Sequence, residues 1–164
     1  MTYLITFVCY GCHLHGYESG SVDRGHNLQG SRVIEADAAR LTAERERMEQ
    51  PPYSMDAVRR AVVLASLRER CSAQQVHLLA AHVRTTHVHV VVEGDPRPER
   101  IMNDLKSYAS RCLNREGLDD SERKRWARHG STRWLWKPES VSAAIRYVVD
   151  EQGERMAVFE ATDS

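Results

Sequence analysis

The stretch that most constrains this chain is Thr86-His87-Val88-His89-Val90-Val91-Val92-Glu93. It is dominated by β-branched residues, which fit a pleated and largely buried strand. Side chains alternate between the faces of a strand, so His87, His89, Val91 and Glu93 share one side. Val88, Val90 and Val92 point to the other, which is the predicted core. Two imidazoles two residues apart then stand side by side. That arrangement can hold a divalent metal by two nitrogens, and it suits equally well two histidines on a half-exposed sheet face.

The remaining elements are read around this strand. At 164 residues the chain is one domain, 1–164. Tyr3 to Tyr10 reads as the first strand. Residues 16–52 read as a loop or lid insertion, with four glycines between 16 and 32 and a short charged helix over 36–49. A helix is expected from about Asp56 to Arg70, capped by Ser54, with Val58, Ala61, Val62, Leu64 and Ala65 as its apolar stripe. A second strand over 76–83 turns at Arg84-Thr85 into the histidine strand, which Gly94-Asp95-Pro96 stops. Ile101, Met102, Leu105, Tyr108, Ala109, Cys112 and Leu113 fall at helical spacing, with Tyr108 expected in the core. The tract 132–137 reads as an edge strand stopped by Pro138, and 141–152 as a last helix capped by Ser140 and ended by Gly153. Residues 153–164 are left as a C-terminal tail. The order β-α-β-β-α-β-α predicts an α+β, ferredoxin-like or RRM-like split βαβ fold. It has a four-stranded antiparallel sheet, its helices on one face, and a further C-terminal helix. The histidine strand is central, and the open face carries His87 and His89.

The formal net charge of zero averages two different regions. Residues 121–137 hold Arg123, Lys124, Arg125, Arg128, Arg133 and Lys137 against Glu122 alone, interleaved with Trp126, Trp134 and Trp136. Residues 138–164 hold six acids against two bases. Cations beside flat aromatics suit a single nucleic-acid strand, whose phosphates need charge and whose unstacked bases need flat partners. A solvated loop anchored by core tryptophans reads the same way in composition. No apolar run reaches membrane-spanning length and the chain opens without the basic region of a signal peptide, so a cytoplasmic protein with reduced thiols is expected.

Cys9-Tyr10-Gly11-Cys12-His13 matches a haem-attachment pattern, but it straddles a strand end and lacks an export signal. A zinc site from Cys9, Cys12, His13 and His15 competes with buried thiols at a strand end. His77 and His82 read as structural or hydrogen-bonded, and His26 and His129 carry no assigned role. On the last helix, Tyr147 and Glu151 are one turn apart and project the same way, which could bring a nucleophile and a metal ligand to one phosphate. A half-buried tyrosine beside a solvated glutamate has the same spacing.

With His87-Val88-His89 and Tyr147 together, the sequence resembles the HUH superfamily of single-tyrosine transposases, in the REP-associated tyrosine transposase branch. Tyr10-Gly11 and Leu14-His15-Gly16 resemble its first strand and following loop. Thr86 to Val92 resembles its His-hydrophobic-His strand, and Leu105-Lys106-Ser107-Tyr108 the start of the helix after it. Trp136 resembles the tryptophan before the tyrosine region, and Ile145-Arg146-Tyr147-Val148-Val149 the nucleophile helix.

The resemblance implies a nuclease and strand transferase. His87 and His89 would bind Mg²⁺ or Mn²⁺, and Tyr147 would attack single-stranded DNA near a hairpin to leave a 5′-phosphotyrosine and a free 3′-OH. Glu151 would be the third metal ligand, a departure because relatives usually carry Gln or Asn at that position, with Gln152, one residue further on, as second choice. Lys106, Arg123, Lys124, Arg125, Trp126, Arg128, Arg133, Trp136 and Lys137 would hold the DNA. A homodimer is possible, since relatives work either as dimers or as monomers. Two rivals stand beside this reading: a non-catalytic, RRM-like nucleic-acid binder of domesticated transposase origin, and a zinc-stabilised interaction domain built on Cys9 and Cys12.

Overall fold

The computed structural model describes residues 1–12 and 49–162. Most of the predicted lid at 16–52, its short helix, and His13, His15 and His26 therefore lie outside the described residues.

The described elements follow the order β1 (Thr2–Val8), α1 (Ala57–Ala73), β2 (His77–Val83), β3 (His87–Glu93), α2 (Pro98–Arg115), β4 (Ser131–Leu135), α3 (Pro138–Asp150) and β5 (Ala157–Glu160). They form an α+β fold around one sheet of order β4-β1-β3-β2-β5, antiparallel throughout. The predicted four-stranded plan is present as β4-β1-β3-β2, and the histidine strand is central.

Two expectations are corrected. First, the sheet has five strands. The supposed tail folds back so that Ala157–Glu160 pairs along β2, with Ala161 N–H donating to the Leu79 carbonyl at 2.9 Å. Second, the histidine face is not open. α1 and α2 cover one face, where Tyr3, Ile5, Phe7, Val88, Val90 and Val92 pack with Leu67, Leu105 and Leu113. α3 covers part of the other, its Ala144, Val148 and Val149 closing on Ala80, Val91 and Leu135. The cause is in the strand itself. Val91 lies on the same side as His89, and an apolar strip in mid-sheet needs a covering layer.

Helix ends and stripes also shift. Asp56, not Ser54, caps α1, its carboxylate accepting from Arg59 N–H at 2.9 Å. The buried stripe of α1 is Val63, Ser66, Leu67 and Cys71, while Val58 is 60% exposed and Ala61 and Ala65 also face water. The expected stripe keeps helical period but follows small alanines, and the true one carries the bulk of Leu67. Pro138 does not merely stop β4. It is the first residue of α3, where its missing N–H has no partner to lose, and Lys137 rather than Ser140 is the cap.

Among the described residues no helix is long and apolar enough to cross a membrane.

Candidate metal and nucleic-acid site

Strand register builds the site. Thr6 on β1 and His82 on β2 both stand opposite His89 on β3, so the three form a polar row across the sheet. Thr6 Oγ1 lies 2.8 Å from His89 Nδ1. His87, two residues along the same strand, holds its ring centroid 4.9 Å from that of His89, with Nδ1 at 3.3 Å from Thr86 Oγ1.

α3 brings the tyrosine. Its apolar residues Ala144, Val148 and Val149 face the sheet, which leaves Tyr147 beside that stripe and 40% exposed. The Tyr147 ring meets His89 edge-on, with centroids 5.6 Å apart and planes at 70°.

The helix ends just afterwards, and this decides the next two side chains. α3 stops at Asp150 and Glu151 is its C-cap, so helical spacing no longer governs where residue 152 points. Glu151 is exposed. Gln152 folds back, its amide nitrogen donating to the Tyr147 carbonyl at 3.1 Å, and its side chain is a hydrogen-bonding neighbour that favours protonation of His89. That influence is outweighed. Burial first, and then the adjacent His87, push the His89 pKa down to about 3, so its ring is neutral at ordinary pH.

His89 Nε2 is buried and has no hydrogen-bond partner in good geometry among the described residues. A buried unsatisfied group costs on the order of 1–3 kcal/mol, which a cation accepting its lone pair would offset. Two imidazoles and an amide oxygen make a fitting neutral donor set for a divalent metal. Among the described residues no three His, Cys, Asp or Glu side chains converge, and the side chain that reaches His89 from the end of α3 is that of Gln152.

The basic tract divides between structure and surface. Arg125 is 3% exposed and donates to the Leu118 carbonyl and to Asn114 Oδ1, both at 2.8 Å, with Asp119 as its ion-pair partner at 3.5 Å. Trp126 packs edge-on against Phe7 at 5.1 Å and donates to the Lys106 carbonyl. Lys106 is buried, its Nζ donating to the carbonyls of Ala127 and His129 at 3.0 and 2.6 Å. These three side chains hold the loop between α2 and β4 onto the sheet. Arg123 and Lys124 clamp the 49–51 segment, through the Pro51 carbonyl and Glu49 respectively. Arg128, Arg133 and Lys137 are exposed.

The anchored loop walls a cleft of about 900 Å³ whose lining includes Thr6, Tyr10, Arg123, Lys124, Arg128 and His129. Thr6 thus belongs both to the cleft and to the histidine row. Gly130 lets the loop pass close, because a Cβ there would lie 2.6 Å from the Thr6 carbonyl oxygen. A second cleft, of about 740 Å³, lies between Arg70 and Arg97 at the opposite end of the sheet from His87.

Trp134 and Trp136 stand apart from this cleft. Trp134 meets Tyr3 edge-on, and Trp136 stacks on Trp134 with centroids 5.1 Å apart and planes at 13°. Trp136 is 72% exposed. Ser131 pairs with Thr6 and Leu135 with Thr2, so the cleft and the indole stack lie toward opposite ends of β4, about 13 Å apart along the strand.

The other candidates fall elsewhere. Cys9 is buried with Sγ directed at the Thr85 carbonyl, burial raising its thiol far above the usual range, and Cys12 Sγ lies 3.6 Å from the Tyr53 carbonyl. Tyr108 is half-buried on α2 with Arg70 and Arg111 over its ring, and α2 covers the face opposite the histidines. Thr6 went unnoticed in the sequence because only strand register reveals a side chain opposite His89.

The sequence model of the family described as transposase, IS200 like, matches residues 54–144. The chain belongs to that family. The matched region runs from the start of α1 into α3, takes in His87 and His89, and ends three residues before Tyr147. No curated protein matches the chain. Among solved structures it is similar to a REP-associated tyrosine transposase bound to a REP hairpin, at 10% identity and a TM-score of 0.49. That match covers 92% of this chain, which spans 65% of that protein's length.

Proposed function

We propose that this IS200-like transposase family member cleaves and rejoins single-stranded DNA next to hairpins, using Tyr147 as nucleophile and a divalent metal, Mg²⁺ or Mn²⁺. The observation that carries the proposal is the packing of Tyr147 against His89, whose buried Nε2 has no hydrogen-bond partner in good geometry among the described residues. His87 and His89 would hold the metal, with Gln152 in preference to Glu151 as third donor because Gln152 turns toward His89 while Glu151 faces solvent. When bound, the cation would polarise the scissile phosphate and offset its charge.

The remaining chemistry belongs to the chain. Tyr147 Oη attacks phosphorus and loses its proton, the bond from phosphorus to the 3′ oxygen breaks, and that oxygen leaves as a protonated 3′-OH. The product is a 5′-phosphotyrosine. Attack on this link by another 3′-OH restores a phosphodiester and returns the tyrosine without an external energy source, because one phosphate ester replaces another. Packing on α3 keeps Tyr147 close to the histidine row through this cycle. Arg128, with Arg123 and Lys124 on the cleft wall, would take the phosphates of the strand, and Trp136 would stack on a base. The protein would act as monomer or homodimer in the cytoplasm.

The test is incubation with labelled single-stranded hairpin DNAs and Mn²⁺, followed by a denaturing gel. A DNA–protein adduct that disappears in Tyr147→Phe and in His87→Ala is the expected result. An adduct that persists in Tyr147→Phe would sink the nucleophile assignment. Salt-sensitive binding without any adduct would favour the non-catalytic binding module instead.

A further inference from the structure

The histidine row contains a side chain that is neither ligand nor nucleophile in the reading above. We infer that Thr6 is a positioning residue for the cation site, its hydroxyl accepting the Nδ1–H of His89 so that Nε2 offers its lone pair. This inference rests on the metal reading above and adds a residue to it.

The geometry is short and enclosed. Thr6 is 7% exposed, stands directly opposite His89 in the β1–β3 register, and places Oγ1 2.8 Å from Nδ1. A neutral imidazole carries one proton on one of its two nitrogens. If Nδ1 accepts from the threonine hydroxyl, the proton sits on Nε2 and blocks it. If Nδ1–H donates to Oγ1, Nε2 is open to a cation. A hydroxyl serves in either role, so Thr6 stays hydrogen-bonded to His89 when the proton moves between the ring nitrogens on metal binding. Metal-bound histidines generally donate their second N–H to an oxygen, which fixes the ring and raises its basicity. The Thr6 backbone is itself held between β3 and β4, with Gly130 packed over its carbonyl, so the hydroxyl has little freedom to withdraw.

The test compares Thr6→Val and Thr6→Ser with the parent protein. Valine keeps the branched shape and strand preference of threonine and puts a methyl group where the hydroxyl was. Serine returns the hydroxyl. Mn²⁺ affinity is read directly from the loss of the free-ion electron paramagnetic resonance signal, without DNA. Thr6→Val is expected to weaken Mn²⁺ binding roughly 10- to 100-fold, and Thr6→Ser to recover most of it. With Mg²⁺ bound, ¹⁵N spectra of the parent should show His89 protonated at Nδ1. Equal Mn²⁺ affinity in Thr6→Val and parent, or a proton found on Nε2 in the Mg²⁺-loaded protein, would overturn the role of Thr6 alone. A parent that binds no Mn²⁺ would overturn the metal reading, and this inference with it.

Discussion

His82 Nδ1–H donates to the carbonyl of Val148 at 2.9 Å, which ties the interior of the sheet to the residue immediately after Tyr147. The other ring nitrogen accepts from Met156 N–H at 3.0 Å, where the chain approaches β5. One fully buried imidazole therefore pins both α3 and the start of the last strand beside His89. Replacing it with leucine leaves two backbone groups without partners, at about 1–3 kcal/mol each. His82→Leu is expected to lower unfolding stability by about 2–6 kcal/mol in urea titration and to speed amide exchange along α3. Unchanged exchange in α3 would refute the tether.

Gln152 and Glu151 are adjacent in sequence and placed differently. Gln152→Ala should weaken Mn²⁺ binding at least tenfold and slow adduct formation, as loss of a ligand environment does. Glu151→Ala, at an exposed helix cap, should leave both within about twofold. The opposite ranking, measured by Mn²⁺ titration of the two variants, would restore Glu151 as the third donor.

The sequence made the sheet legible because polar and apolar residues alternate from His87 to Val90 and β-branched residues dominate Thr86–Glu93. The same alternation placed Val91 beside His89, and that valine already called for a cover on the histidine face, which α3 provides. The tail strand was not legible, since Ala157–Glu160 is four residues long and pairing with β2 is what makes it a strand. Tyr147 and the histidine pair were legible as candidates from spacing. Gln152 against Glu151 was not, because helical geometry stops at Asp150 and a folded-back amide obeys no period. Basic residues in a tract look alike in sequence. Only packing shows that Lys106 and Arg125 serve the loop's carbonyls.

That division of the basic tract is itself testable. Arg128→Ala should weaken single-stranded DNA binding similarly for all sequences and reduce the slope of log affinity against log salt by about 0.7. Arg125→Met should act on folding instead, because it removes the buried guanidinium that joins the Leu118 carbonyl, Asn114 and Asp119. Salt-dependent binding curves and urea midpoints on both variants separate the two effects.

Trp136 is exposed and stacked, so truncation costs little in folding. Trp136→Ala should change stability by no more than about 0.5 kcal/mol. DNA binding should weaken by about 1–3 kcal/mol if one base stacks there. Affinity that survives the change intact would remove the indole pair from the DNA path.

Asp104 on α2 forms an ion pair with Arg70 on α1, Nε to Oδ2 at 2.7 Å, and this hydrogen bond holds the Asp104 carboxyl below the usual carboxylate range of 3.8. A depressed folded pKa contributes stability that is complete above the unfolded value and disappears as pH falls through the folded one. Stability measured by urea midpoint should therefore be flat in this contribution near neutrality and decline below about pH 4. Asp104→Asn should flatten part of that acid limb. An identical limb in the variant would assign the loss to other carboxylates.

The docking of α3 on its own sheet has an arithmetic consequence. Among the described residues one Tyr147 meets one histidine pair, so under the proposed chemistry one chain would carry one broken DNA end at a time. Excising a segment requires two breaks. Either the first end is resealed before the same tyrosine makes the second cut, or two molecules hold the two ends, and the number of protein molecules attached per DNA at saturation, one or two, counts which of these occurs.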